Sequence, residues 1–198
     1  MNYLFAVLWL LLCAASFGAL NWYKLKPGPV GKINSFWPQN IPHEHNRTTY
    51  NLVLFAHPRC GCTSASLMEL EKILVKTKNN LKVKIFFYHP KGESANWSDG
   101  ESKTMALKLP NTEVYDDDGG EVARRFGAMT SGQTLVYSLE GKLVYAGGIT
   151  ESRGHTGDNT GARSIASVVE TGKTIINTQP VFGCVLFSDR EMKEYRKP

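Results

Sequence analysis

The sequence predicts an α/β protein of three layers, α/β/α, around a mixed central sheet, preceded by one N-terminal transmembrane helix. Three observations predict it. Strand patterns alternate with helix patterns, the chain opens with an apolar run, and a segment containing Pro and Gly separates that run from the rest. Of the 198 residues, about 150 remain beyond these two segments, which is enough for one domain with its own core.

The apolar run predicts a single-pass membrane anchor over residues 1–23. Residues 3–20 carry no charge, and a helix of that length spans ~27 Å, close to the thickness of a hydrocarbon core. Trp22 and Tyr23 follow as aromatic residues typical of a membrane interface. A cleaved signal peptide is the alternative. Because no Lys or Arg precedes the run, and the run is long for a signal core, the sequence favours an anchor.

The composition is that of an ordinary globular domain. Apolar residues make up 42% of the chain and charged residues 21%, and the formal net charge is +5. The charges are scattered, and no motif combines basic with aromatic residues. We therefore expect no nucleic-acid partner.

Pro and Gly positions divide the rest of the chain. They predict a linker without regular structure over residues 24–48, a domain over 49–172 and a tail over 173–198 that carries Cys184. Within the domain the order is strand, helix, strand, helix, β-hairpin, helix. The predicted strands cover residues 51–56, 81–88 and 113–115 and the hairpin within 134–148; the predicted helices cover residues 63–78, 105–109, 121–126 and 162–170.

The most informative motif is Cys60-Gly61-Cys62, placed between the first predicted strand and the first predicted helix of the domain. A thiolate at a helix N-terminus is stabilised by unpaired N–H groups and the helix dipole, and Arg59 adds a positive charge beside Cys60. Attack on a disulfide needs such a thiolate, and a second thiol to resolve the mixed disulfide. We therefore expect Cys60 to attack and Cys62 to resolve.

The order of elements and several motifs resemble the thioredoxin-like superfamily. The strand, cysteine loop and helix are similar to its active-site region, and "FGAMTSGQTLVYSLEGKLVYAGGI" resembles its later half. More narrowly, "HPRCGCTSASLMELEKIL", "RGHTGDNTG" and "TQPVFGCVLF" resemble the RedB group of membrane-anchored thioredoxin-like proteins. The resemblance covers residues 50–187. It implies action on protein thiols or disulfides and a periplasmic domain, although lysines 24, 26 and 32 favour a cytoplasmic one by the positive-inside rule.

The chain departs from the family pattern at two points. Members usually carry Cys-x-x-Cys, whereas this chain has Cys-x-Cys. They also usually place a cis-proline before the strand that corresponds to "TLVY", where this chain has Gln133. In the family that proline touches the cysteines and helps to select the substrate peptide. Gln133 is therefore a predicted substrate contact, and the missing ring leaves room for a metal.

Loops that leave the sheet at the same edge supply further predicted site residues. In this fold the first two strands are parallel, so His57 and His89, one past each strand, should border the cysteine loop. The second strand of the hairpin runs the same way, so Arg153 and His155 emerge at that edge too. His89 and His155 equally fit ordinary surface positions. The predicted substrate-binding residues are His57, Arg59, Gln133, Arg153 and His155.

Cys184 can reach the cysteine loop. About a dozen residues separate it from the last helix, at ~3.3 Å per extended residue. It could resolve or receive a disulfide of the Cys-x-Cys pair, or join the pair as a soft site for Cu(I). Alternatively, it packs under Phe182 and Phe187 as a structural residue. The predicted catalytic residues are Cys60, Cys62 and Cys184.

Three functions remain open at this point. The favoured one is a membrane-anchored thiol–disulfide oxidoreductase without a cofactor, which needs a reversible dithiol. The second is a copper-binding or copper-delivery protein, which needs metal at fixed stoichiometry. The third is a binding module without turnover, which would tolerate loss of both cysteines of the motif. The Cu(I) ligands of the second would be Cys60, Cys62, Cys184 and His57.

Overall fold

Five α-helices, five β-strands and one 3-10 turn (Lys78–Asn80) make up the regular structure of the described residues. The computed structural model describes residues 2–39 and 41–187, so the part of the predicted tail after residue 187 lies outside the described residues. The helices are α1 (Asn2–Leu25), α2 (Gly61–Thr77), α3 (Glu101–Ala106), α4 (Glu121–Phe126) and α5 (Thr160–Thr171); the strands are β1 (Tyr50–Ala56), β2 (Leu81–His89), β3 (Thr112–Asp118), β4 (Gln133–Tyr137) and β5 (Leu143–Gly147).

The strands form one mixed sheet in the order β3-β2-β1-β4-β5. Strand β1 is a continuous apolar run and lies at the centre, parallel to β2 and antiparallel to β4. Such a run fits a strand that is buried on both faces. Strand β2 pairs parallel with β3, and β4 pairs antiparallel with β5. The carboxyl ends of β1, β2 and β5 therefore share one edge, as the predicted thioredoxin-like fold requires.

Apolar side chains cover both faces of the sheet. On one face α2 and α5 pack on β1 and β2 through residues such as Leu70 and Ile165. On the other face α4 contributes Phe126, which packs against Phe55 of β1 at a ring separation of 5.5 Å. The three-layer α/β/α arrangement that the sequence predicts is confirmed.

The segment predicted as a linker is docked on the second face. Helix α1 extends two residues into it, to Leu25, and beyond that point its described residues contain no helix and one isolated bridge, between Phe36 and Lys142. Trp37 packs on Phe126 at 5.1 Å and on Tyr137 at 5.3 Å between ring centroids. Docking follows because the apolar side chains in this proline-containing segment complete a core cluster that α4 alone leaves open.

Two predicted elements have different bounds. Strand β3 extends to Asp118 because it pairs with β2 along its length, although its acidic residues have low strand propensity. Helix α3 begins and ends earlier than predicted, at Glu101 and Ala106. The residues after it form turns before Pro110, which disfavours helix in the residue that precedes it.

Helix α1 is the one N-terminal apolar helix that the sequence predicts. Over Tyr3–Leu25 its mean hydropathy is 2.2, and none of it is buried against the domain. By length and composition it can cross a bilayer, and these properties fit a single-pass anchor or a signal sequence.

Candidate functional site

A tight turn between β1 and α2 presents the Cys-x-Cys motif. Cys60 is the N-cap residue of α2, with extended backbone angles of φ −95° and ψ 117°. Its N–H donates to the carbonyl of His57 at 3.1 Å, and its own carbonyl accepts the N–H of Thr63 at 2.9 Å. Gly61 opens the helix, and a Cβ there would meet no atom within 4 Å. The turn thus buries Cys60 and leaves one side of the motif open.

The sulfur of Cys60 is met by the tail. Cys60 is 2% exposed, and its Sγ lies 2.7 Å from the Sγ of Cys184. The backbone N–H of Cys184 donates to the same Cys60 sulfur at 3.3 Å. No disulfide joins the three cysteines of the domain in this structure. Because Cys60 already accepts one hydrogen bond from Cys184, we place the negative charge of the cluster on Cys60.

The thiols that surround Cys60 determine its acidity. Hydrogen bonds from Cys184, first, and from Cys62 lower the pKa of Cys60 far below that of an ordinary thiol. The same bonds, together with burial, raise the pKa of Cys62 and of Cys184. The positive charge of Arg153 partly offsets both increases. The neighbouring thiols thus favour the thiolate of Cys60, which is the form in which a thiol attacks a disulfide.

Backbone pairing holds the tail against the loop that precedes β4. Ser131 donates its N–H to the carbonyl of Cys184 at 2.8 Å, and Leu186 donates to the carbonyl of Met129 at 2.9 Å. Between these bonds Thr130 and Val185 form an antiparallel bridge. The tail therefore lies beside the loop as a short extra strand.

Gly183 permits this close approach. A Cβ built on Gly183 would lie 1.9 Å from the carbonyl oxygen of Ser131. No side chain fits there without moving the tail, so glycine next to Cys184 is a steric requirement of the thiol cluster.

Two hydroxyl groups that the sequence did not single out fix the cysteine turn. The Ser131 hydroxyl accepts the N–H of His57 at 2.9 Å and lies 3.0 Å from the Thr63 hydroxyl. The Thr63 hydroxyl donates to the carbonyl of His57 at 2.9 Å. Nothing in the local pattern marks these two as site residues, because their roles arise only when the loop before β4 meets the turn after β1.

Arg153 lies beside the thiols, as the topology predicts. Its guanidinium donates to the carbonyl of Gly183, the residue before Cys184. It also lies 5.0 Å from the ring centroid of Tyr23 at the end of α1. The guanidinium therefore connects the cysteine tail with the C-terminal end of α1.

His57 and Arg59 join an aromatic group on the other side of the turn. The His57 ring stacks on Tyr88 at 5.8 Å and meets Trp97 at 5.8 Å, and burial lowers its pKa. Arg59 lies over Trp97 at 4.3 Å. The Nδ1 atom of His57 accepts the backbone N–H of Arg59 at 3.2 Å, which orients the ring at the turn.

The remaining predicted site residues, Gln133, His89 and His155, have no contact with the three sulfurs among the hydrogen bonds of the described residues. Gln133 is 1% exposed, and its side-chain oxygen accepts the N–H of Met129 at 3.2 Å, so it supports the loop from inside. His89 is buried with its imidazole 2.9 Å from the carbonyl of Ser94. His155 is exposed.

The metal alternative finds weaker support in the side chains. Across residues 2–39 and 41–187 there is no group of three or more His, Cys, Asp or Glu side chains arranged to hold a metal ion. The proposed fourth ligand, His57, packs among aromatic rings. Copper binding at Cys60, Cys62 and Cys184 therefore stays a prediction from the sequence.

No family model and no curated protein matches the sequence. Solved structures match its fold. An uncharacterized conserved protein from Geobacillus kaustophilus has a TM-score of 0.59 at 16% identity, over 81% of this chain and 93% of that chain. A hypothetical protein from Sinorhizobium meliloti 1021 has a TM-score of 0.56 at 20% identity, over 82% and 96%. A secreted Mycobacterium tuberculosis disulfide oxidoreductase has a TM-score of 0.40 at 9% identity, over 62% and 81%.

At these identities the matches show the fold and nothing finer. The strand order and the three-layer arrangement define this chain as a protein of thioredoxin-like fold, and the first two matches share that arrangement over most of their length. The narrower resemblance to the RedB group stays an expectation from sequence motifs.

Proposed function

We propose that this chain is a membrane-anchored thiol–disulfide oxidoreductase that works through Cys60, Cys62 and Cys184. The observation that carries the proposal is the position of the Cys60 sulfur, which lies 2.7 Å from the Sγ of Cys184 and accepts the backbone N–H of Cys184. A thiol whose pKa is lowered, with two further thiols in reach, has the parts that exchange requires.

The exchange proceeds in two balanced steps. The Cys60 thiolate attacks one sulfur of a partner disulfide; a Cys60–partner bond forms and the partner's other sulfur leaves as a thiolate. Cys62 or Cys184 then loses its proton and attacks the Cys60 sulfur, which releases the second partner sulfur. Cys60 becomes oxidised with one neighbour and the partner disulfide is reduced to two thiols. The reverse sequence oxidises a partner dithiol.

The tail controls access to Cys60. Because Cys60 is 2% exposed and Cys184 lies beside it, a partner disulfide reaches its sulfur only after the tail moves. Cys62 is half-buried and lies on the open side of the turn. We infer that Cys184, the nearer sulfur, is the internal partner of Cys60, and that Cys62 completes exchange when the tail is displaced.

The anchor and compartment belong to the same proposal. Helix α1 supplies a span of adequate length and hydropathy. Disulfide exchange of the oxidising kind needs an oxidising compartment, which supports a periplasmic domain.

A disulfide-reduction assay tests the function. The full chain is reduced in detergent and separated from the reductant. A peptide disulfide is then added, and the thiols that remain on the protein are counted. Cys60→Ser should abolish reduction of the peptide disulfide, and Cys13→Ser, the matched control in α1, should not. A normal amount of peptide reduced by Cys60→Ser would refute the proposal. Binding of one Cu(I) per chain, without exchange, would establish the copper alternative instead.

A further inference from the structure

The segment that leaves α1 is fixed to the thiol site. The backbone N–H of Arg153 donates to the carbonyl of Lys24 at 3.1 Å, and its Nη2 reaches the carbonyl of Lys26 at 3.3 Å. The Arg153 guanidinium lies 5.0 Å from the Tyr23 ring centroid. A free tether would make none of these contacts.

The segment after α1 also contacts the tail and the loop before β4. Gly28 donates its N–H to the carbonyl of Val181 at 2.8 Å, and the carbonyl of Pro29 accepts the Thr130 hydroxyl at 2.6 Å. A Cβ on Gly28 would lie 2.4 Å from that hydroxyl, so the segment fits closely. The first residues after the predicted span are thus built into the wall of the thiol site.

These contacts place the sulfurs near the bilayer surface. Trp22 and Tyr23 end the apolar helix and are exposed, as interfacial aromatic residues are. The Arg153 guanidinium touches Tyr23 on one side and Gly183, next to Cys184, on the other. The interfacial layer is about 5–8 Å thick on each side of a bilayer. The distance from the Tyr23 ring to the Arg153 guanidinium, 5.0 Å, is comparable to the thickness of that layer.

The open side of the turn lies beside this attachment. A Cβ at Gly61 or at Gly154, which follows Arg153, would meet no atom within 4 Å. Cys62 follows Gly61 in the chain, and the backbone of Gly154 lies near enough to its thiol to lower its pKa.

We propose that the thiol site is held at the membrane surface and exchanges with a cysteine or disulfide of a membrane-integral protein within the headgroup layer. The proposal rests on the thiol–disulfide exchange proposed above. It adds the class of partner: one whose reactive sulfur stays at the interface and does not need to diffuse to the site through water.

Two probes with the same leaving group test it. The reduced full chain, with Cys13→Ala, is reconstituted in phosphatidylcholine vesicles. One sample is fused with vesicles containing phosphatidylethanolamine with a pyridyl disulfide on its headgroup, so that protein and probe share one bilayer, and the other receives soluble 2,2′-dithiodipyridine. In both, a protein thiolate forms a mixed disulfide and releases pyridine-2-thione, whose absorbance gives the rate. The measured quantity is the ratio of the lipid-probe rate to the soluble-probe rate.

A flexible spacer inserted after α1 tests whether the thiol site must be held at the membrane surface. Ten Gly and Ser residues inserted between Leu25 and Lys26 add a flexible reach of about 17 Å. We expect the rate ratio to fall at least tenfold. The same spacer inserted after Gly92, in an exposed turn, should leave the ratio within twofold. An unchanged ratio with the first spacer would overturn the interfacial site while leaving exchange intact. Failure of the soluble probe to react would refute the proposed function, and this inference with it.

Discussion

The Sγ atoms of Cys60 and Cys184 lie 2.7 Å apart although 124 positions separate the two residues in the chain. The Cys-x-Cys motif is therefore only part of the reactive centre, and the tail supplies its nearest sulfur. The backbone pairing of the tail with residues 129–131 sets this distance. Tail docking and thiol acidity consequently depend on each other.

Removal of Cys184 should make Cys60 less acidic. A hydrogen bond to a charged acceptor contributes roughly 1.5–3 kcal/mol, and one pKa unit equals ~1.36 kcal/mol. In Cys184→Ala we therefore expect the pKa of Cys60 to rise by about one to two units. The check is the rate of alkylation by iodoacetamide between pH 3 and 9, with the modified site read by mass spectrometry.

Cys62→Ala is the matched control for that measurement. Cys62 is the second donor to the Cys60 sulfur, so its removal should raise the pKa of Cys60 less than removal of Cys184 does. In the unsubstituted chain the Cys60 rate should already be on its plateau at pH 7. A rate profile centred near pH 8.5 in all three proteins would show that the cluster does not stabilise a thiolate.

Gly183→Ala should displace the tail. The added Cβ would lie 1.9 Å from the Ser131 carbonyl oxygen, so the backbone bonds on either side of it cannot both persist. After mild oxidation, we expect the yield of the Cys60–Cys184 disulfide to fall severalfold in peptide mapping. Gly100→Ala, where a Cβ meets no atom within 4 Å, is the control. An equal yield in both variants would argue against the docked tail.

Asp117 should give the domain a measurable pH dependence of stability. It is 1% exposed, its carboxylate caps α4 by accepting the N–H groups of Val122 and Ala123, and burial raises its pKa to about 6. Because the folded state holds this proton more tightly than the unfolded state, its contribution to stability declines as pH rises from about 4 to about 6 and then stays constant.

The comparison with Asp117→Asn isolates this term, since all other titrating groups cancel. The free energy of unfolding of the unsubstituted protein, relative to the variant, should decrease by about 2–3 kcal/mol across that pH window. Urea denaturation at pH 4, 5, 6 and 7 measures it. A difference that does not change with pH would contradict the raised pKa.

Glu69 should contribute far more to the free energy of unfolding than Lys72, its exposed ion-pair partner. Its buried carboxylate accepts the N–H of Gly157 at 2.8 Å and a side-chain N–H of Asn159 at 3.2 Å, which anchors the loop that carries Arg153. We expect Glu69→Ala to cost about 2–3 kcal/mol. Lys72→Ala removes only the ion pair and should cost under about 1 kcal/mol. Equal costs in urea denaturation would show that the loop is not anchored through Glu69.

The sequence was sufficient for the fold because its signals are local. The apolar run of β1, the helix pattern of α2 and the hairpin turn each depend on neighbouring residues, and their order defines the topology. Arg153 could be placed near the thiols because parallel strands end at one edge. Strand β3 was underestimated because its stability comes from pairing with β2.

The supporting contacts could not be predicted in this way. Ser131 and Thr63 meet only after two distant segments pack, and Gln133 turns inward to bond Met129. The length of the tail showed that Cys184 could reach the cysteine loop. Only the backbone pairing shows which sulfur it meets.

Disulfide mapping during a redox titration tests the central claim most directly. The full chain is equilibrated with glutathione buffers of increasing potential, trapped with acid and alkylated, and its disulfides are identified by mass spectrometry. The account predicts that a Cys60–Cys184 disulfide forms reversibly as the first internal bond, with Cys62 still alkylated. If Cys60 forms no reversible disulfide at any potential, the result contradicts the account.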